Sequence, residues 1–276
     1  MIKNLQKQPF LILLSVLFFL SPLLLFSKNR VQVDYLNEYS GPHQDDFNEL
    51  QWEIPNLVRQ TTIDMSIKIG LPYNEGWQYP MTVKYTDKAG AGAESLLAYV
   101  ILYQTNKGDF FQELHINLAA YAKQKFDYEK TLSHELIHAM MNDAVGGEAA
   151  RLLPVWLHEG LAVYGSGEGE GMLRSYVHRF YGFAEQKLLN GLTGPHGALD
   201  YVEDYLAVKY IVEAHGPNAL PFFIRQLIEK DGKVEAAYEY STGESWDDFI
   251  TQSRKYAEDT IKEIKPPRRG RGEDPY

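Results

Sequence analysis

Thr131-Leu-Ser-His-Glu-Leu-Ile-His-Ala-Met140 is the stretch on which the reading of this chain turns. Its core, His134-Glu135-x-x-His138, has the spacing of a metal-binding helix, yet the same residues also arise by accident on an ordinary amphipathic helix. On a helix, residues four apart lie one above the other, so both imidazoles can reach one ion while Ile137 faces inward beside them. Glu135 follows its neighbour by about 100° around the axis. Its carboxylate can therefore reach a water on the ion without occupying the ion itself. A third ligand separates a metal site from an accident.

The chain contains no cysteine, which removes thiolate ligands, cysteine nucleophiles and disulfides together. The third ligand must then be nitrogen or oxygen. A third histidine shortly after the motif would need glycine at position 141 and histidine at position 144, where this chain has Met141 and Ala144. Two glutamates remain nearby. Glu148 follows Gly146-Gly147 where the first helix should end, and reads as a solvated cap. Glu159 lies in Pro154-Val-Trp-Leu-His-Glu-Gly-Leu-Ala-Val-Tyr164, a compact helix with proline in its first turn and glycines after its end. Returning antiparallel after a loop, that helix can present Glu159, 21 positions beyond His138, to the same ion. His158 is adjacent, but a neighbour on a helix points elsewhere, so it ranks below Glu159.

Around this pair, 276 residues with 45% hydrophobic and 13% aromatic content are enough for one large domain or two packed subdomains. The formal charge is −10, and residues 31–276 hold 23 of the 27 basic side chains against all 37 acidic ones, a net −14. Such a body is not built to bind nucleic acid. Residues 1–30 hold the other four basic side chains and no acidic one; two lysines precede an apolar run of 17 residues, Phe10 to Phe26. That is the layout of a signal peptide or a signal anchor, at the lower limit for spanning a bilayer. The expectation is an exported, extracytoplasmic protein, cleaved or membrane-anchored through residues 10–26. A connector follows over 31–44.

From Asp45 to Ile69 the apolar residues are spaced helically, with Phe47, Leu50, Ile54, Leu57, Val58, Ile63 and Ile67 as the expected stripe and Pro55 as the expected kink or break. Met81–Thr86 alternates as a strand, 96–103 is an apolar strand-like run, and 112–118 is a strand candidate directly before the motif helix. Turns are expected at 90–92 and 106–108. Beyond Asp127 the pattern is helical over 127–142, 154–164, 172–190, 199–214, 218–230 and 245–264. Strands in the first half and helices in the second predict an α+β fold with a mixed α/β part (45–126) and a helical part (127–264) within one domain, 45–264. The tail 265–276 lacks apolar periodicity and is expected to be disordered. Gly165-Ser-Gly-Glu-Gly-Glu-Gly171 reads as a flexible acidic loop near the site, with no preceding strand and no lysine to make it a phosphate cradle. Met140 and Met141 read as core residues.

His134-Glu-Leu-Ile-His-Ala139 followed by Pro154-Val-Trp-Leu-His-Glu-Gly-Leu-Ala-Val-Tyr164 resembles the gluzincins, metallopeptidases whose zinc is held by two histidines and a glutamate. The second element is similar to the W-L-x-E-G-x-A segment of membrane alanyl aminopeptidase-type enzymes and of smaller bacterial peptidase MA-like domains. The tyrosine-rich Tyr201–Gly216 and the stretch Gly243–Phe249 resemble the smaller group more. The likeness covers roughly residues 80 to 264. It implies a thermolysin-like core with the zinc cleft between the mixed and helical halves, one zinc ion on His134, His138 and Glu159, Glu135 as general base, and a peptide or protein substrate. An oxyanion donor across the cleft is implied as well, with Tyr201 the first choice and Tyr205, one turn on, the second. The strand containing His115 is expected to form the cleft edge and pair with extended peptide, His115 itself being structural. Two departures shape the expectation. The G-x-M-E-N strand that binds a substrate amino terminus is absent, the corresponding strand reading Glu113-Leu-His-Ile-Asn-Leu118, which favours an endopeptidase over an aminopeptidase. The thermolysin-like aspartate four residues after the ligand glutamate is replaced by Val163, which leaves the histidines without an assigned partner. Two other readings stay open: an inactive envelope protein that retains a zinc site, and a zinc hydrolase of a non-peptide amide.

Overall fold

The computed structural model describes residues 32–36, 38–72, 77–87, 96–124, 128–180, 184, 192 and 200–264. The expected export segment, the turn at 90–92, most of the stretch read as helix beyond 180, and the tail from 265 lie outside the described residues. Among the described residues no helix is long and apolar enough to cross a membrane.

Four strands, β1 (Asp34–Tyr35), β2 (Met81–Thr86), β3 (Ala98–Gln104) and β4 (Phe110–Asn117), form one sheet in the order β1-β2-β4-β3. β2 alternates because its sequence does, burying Met81, Val83 and Tyr85 and leaving Thr82, Lys84 and Thr86 on the other face. β4 pairs with it in parallel, Val83 opposite Leu114 and Tyr85 opposite Ile116, so both strands bury the same face. β3 returns antiparallel on the outside of β4, with Val100 opposite Leu114. The hairpin closes through Gly108, whose N–H donates to the Thr105 carbonyl at 2.9 Å with φ at 90°, a conformation glycine adopts without strain. The stretch read as a connector contributes β1, a parallel edge strand beside β2.

The helices are α1 (Gln44–Lys68), α2 (Leu118–Gln124), α3 (Tyr128–Val145), α4 (Gly147–Ala150), α5 (Val155–Ser166), α6 (Gly169–Arg179), α7 (Tyr201–His215), α8 (Ala219–Glu229), α9 (Val234–Thr242) and α10 (Trp246–Glu263). α1 is not divided at Pro55, which sits inside one continuous helix. Its buried stripe is Phe47, Leu50, Ile54, Val58, Thr61, Thr62 and Met65, and the expected Ile67 is 76% exposed. The face turned away from the isoleucines because both threonines satisfy their hydroxyls where they are. Thr61 Oγ1 meets Ser133 Oγ of α3 at 3.1 Å, and Thr62 Oγ1 donates to the Val58 carbonyl at 3.0 Å.

α3 lies on the sheet and beneath α5. Along it Leu132, Leu136, Ile137, Ala139, Met140 and Met141 are all buried. At about 1.5–3 kcal/mol per large apolar side chain, this fixes the helix more firmly than the polar residues on its other side can. α5 is clamped between α3 and α7, with Trp156, Leu157, Leu161, Ala162 and Val163 buried. A second apolar cluster gathers where α5, α6, α7 and α10 meet, around Val163, Leu173, Tyr205, Leu206 and Ala257.

Candidate metal centre

The core-facing residues of α3 leave His134, Glu135 and His138 half-buried on one side of the helix. α5 brings Glu159 to the same place, and a glycine permits it. A Cβ built on Gly160 would stand 2.4 Å from the Asp204 carbonyl oxygen and 2.8 Å from Val208 Cγ2, both on α7, so only glycine lets α5 lie flush against α7 with the neighbouring Glu159 turned to α3.

His134 Nε2 lies 3.3 Å and His138 Nε2 3.6 Å from Glu159 Oε2. Each of the three residues offers one ligand atom, all within 4.8 Å of one another. Ligands about 2.0–2.1 Å from a tetrahedral ion lie about 3.3–3.5 Å apart, so these separations fit a shared ion. Two imidazoles and a carboxylate, with no thiolate, form a group that can hold one metal ion.

The orientation of His134 is fixed from behind. Its Nδ1 lies 2.9 Å from Glu168 Oε2, and Ser166 Oγ donates to the same oxygen at 3.2 Å. An ionised carboxylate only accepts, so Nδ1 carries the proton and Nε2 is the atom turned to Glu159. Glu168 comes from the stretch expected to be a flexible loop. Instead Gly167 stops α5 in a left-handed conformation and Glu168 stands at the head of α6. Glu168 was not expected here, and it is the partner of His134 that Val163 cannot be.

Burial would push His134 down, but Glu159 and Glu168 outweigh it and raise the imidazole to about 10 when no ion is bound. Burial would likewise raise Glu159, yet hydrogen bonds from His134 and His138 hold its carboxyl well below the usual range. Glu135 goes the other way. Burial pushes its carboxyl up, against the pull of His138 and His134, while the Val100 N–H of β3 donates to its Oε2 at 3.0 Å.

The remaining candidates separate cleanly. His158 Nε2 meets the Ala150 carbonyl at 3.2 Å, its ring is 5.7 Å from that of His138, and burial with the nearby His138 charge lowers it to about 4. It is a neutral packing residue outside the ligand group. Glu148 is exposed and accepts from Gln104 Nε2 at 2.6 Å. Tyr201, the first residue of α7, is raised to about 12 by burial and then by the carboxylates of Glu159 and Glu135. Tyr205 is spent elsewhere, its hydroxyl donating to Glu170 Oε1 at 2.8 Å and its ring filling the space above Gly169. It is corrected from second choice of oxyanion donor to structural tyrosine.

The strand containing His115 does not form the cleft edge. β4 is interior, between β2 and β3, and His115 points away from the metal group, stacked on Tyr99 at 4.7 Å and 2.9 Å from Glu113. The antiparallel β3 takes the edge, because it adds outside β4 and turns the Val100 N–H toward α3. A cleft of about 360 Å³ opens there, lined among others by Val100, Leu102, His138, Arg151, His158 and Glu159. No family model, curated protein or solved structure matches this chain.

Proposed function

We propose that the chain is an exported, zinc-dependent peptidase of gluzincin type that cuts within peptides. The observation that carries this reading is Glu135, a half-buried carboxylate held at 3.0 Å by the Val100 N–H beside a His-His-Glu group, where a purely structural metal site has no use for a base. Export rests on the signal-like layout of residues 1–30.

His134, His138 and Glu159 would hold the ion. When bound, zinc supplies Lewis acidity, lowering the pKa of a coordinated water to about 7 and polarising a carbonyl. Glu135 would accept a proton from the attacking water and pass it to the leaving amine, and burial raises its carboxyl, which makes it the stronger base. The Val100 N–H fixes one carboxylate oxygen of Glu135, which limits the rotamers the base can adopt. Tyr201, raised to about 12, keeps its proton at neutral pH and can donate to a developing oxyanion. β3 is an edge strand whose residue pairs with β4 alternate, so Leu102, in phase with Val100, also turns its main chain outward, where an extended peptide can add as a further strand.

The test is Glu135→Gln. It is expected to keep its full metal content while hydrolysis of a peptide library falls by about 10²–10⁴-fold. Hydrolysis at the wild-type rate by this variant would remove Glu135 from the mechanism.

A further inference from the structure

The cleft beside the metal group is lined unevenly. Val100 and Leu102 of β3, with Leu153 and Val155 around the start of α5, make apolar walls, and Arg151 is the cation among the lining residues. Arg151 is exposed but not loose. Its guanidinium lies 5.0 Å over the Phe110 ring, and Nη1 donates to Gln104 Oε1 at 2.9 Å. Gln104 is braced in turn by donating Nε2 to Glu148 Oε1 at 2.6 Å. Phe110 is confined as well, since a Cβ on Gly147 would come within 2.5 Å of its ring. A guanidinium carries five N–H donors in a planar fork, and Gln104 accepts from one of them. Among the described residues no carboxylate lies within ion-pair distance of Arg151.

A positioned arginine at the mouth of an apolar cleft, without a carboxylate partner among the described residues and in a body whose net charge is strongly negative, is arranged to receive an anion with a planar two-oxygen face. We propose that Arg151 binds a carboxylate of the substrate, and that the residue bearing or adjoining it lies against Val100, Leu102 and Leu153. The inference rests on the peptidase reading and narrows its substrate class to peptides carrying a carboxylate within about one residue of the cleft. That carboxylate has two possible sources, the peptide's own carboxyl terminus or an aspartate or glutamate side chain. A cut within the chain favours the aspartate or glutamate side chain, whereas a bound terminus this close to the metal group would make the cut an exopeptidase one. A water-exposed fork also avoids the desolvation that burying the charge would cost.

The experiment is calorimetric binding to the full-length, metal-loaded Glu135→Gln protein, which removes turnover from the readout. Three probes are compared: acetyl-Ala-Ala-Leu as free acid, the same peptide as its amide, and acetyl-Ala-Ala-Glu amide. At least one carboxylate-bearing probe is expected to bind about tenfold more tightly than the neutral amide. Arg151→Gln should erase that preference and Arg151→Lys restore part of it, with melting temperatures unchanged. Preference for the free acid assigns the chain terminus, and preference for the glutamyl amide assigns the side chain. Equal affinities for all three, absence of binding included, would overturn the proposal, as would a preference that survives Arg151→Gln, since the carboxylate would then sit on the metal. Turnover by the wild-type protein is scored separately. Arg151-dependent binding without cleavage of any library peptide would sink the peptidase reading and leave the carboxylate site standing.

Discussion

His134 meets Glu168 at 2.9 Å and His215 meets Glu244 at 3.1 Å, two histidine–glutamate clusters made from the same parts. Around His134 a second imidazole and a second carboxylate converge, and the nitrogen not held by Glu168 is turned to Glu159. Around His215 the other groups are donors. Tyr210 donates to Glu244 Oε1 at 2.9 Å, Tyr238 donates to Oε2, and both rings pack into the core with Phe249. Glu244 thus accepts from both hydroxyls beside His215 and ties α7 to α9. The difference teaches that residue type does not make a metal site. Lone pairs must converge, and the donors that would quench them must be kept behind the ring.

The comparison can be broken at either cluster. Glu168→Gln removes the charge that fixes His134 while leaving all three ligands, and should weaken metal affinity by about 10–100-fold in a chelator competition, with stability of the metal-loaded protein little changed. Glu244→Gln should do the reverse, costing about 1 kcal/mol in denaturant unfolding with metal affinity unaltered. A third pair, His115 with Glu113, sharpens the contrast because it touches neither. Burial alone would raise Glu113, but hydrogen bonds from Lys84 and His115 win and hold its carboxyl low in the fold. A depressed folded pKa contributes stability above the ordinary glutamate pKa and loses it as pH falls through the folded value. Glu113→Gln should therefore flatten the acid limb of the stability curve below about pH 4.5, by no more than about 1 kcal/mol, without touching metal binding.

How much of this was legible in the sequence follows from how local each signal is. His134, Glu135 and His138 share one helix and Glu159 sits in a short helix bounded by proline and glycine, so the H-E-x-x-H spacing, that punctuation and the gluzincin resemblance brought them together as candidates. Glu168 escaped because five glycines or serines around it read as loop. Its signal was present in the order of events, a glycine stop at Gly167 followed at once by acidic residues suited to the first turn of a new helix. The edge position of β3 was not legible, since strand order depends on non-local pairing that places β2 beside β4 and sends β3 outside. The stripe of α1 was misjudged at Ile63 and Ile67 because threonine counts as polar in a periodicity argument, although Thr61 and Thr62 bury their hydroxyls satisfied. α9 was missed for its length, nine residues with only Val234, Ala237 and Tyr238 buried.

The Gly160 contact shows the same limit from another side. Its place in Trp156-Leu-His-Glu-Gly160 is visible in the sequence, but the reason for glycine is the Asp204 carbonyl of a helix more than 40 positions away. Close approach of α5 to α7 and the aim of Glu159 are one structural fact, and local pattern carries only half of it.

The central claim, that α3 and α5 together hold one zinc ion through His134, His138 and Glu159, is tested most directly by elemental analysis of Glu159→Ala beside the wild type after extensive dialysis. One equivalent of zinc is predicted in the wild type and less than about a tenth in the variant, since loss of one of three protein ligands leaves the ion with two imidazoles. A full equivalent retained by Glu159→Ala would contradict the account.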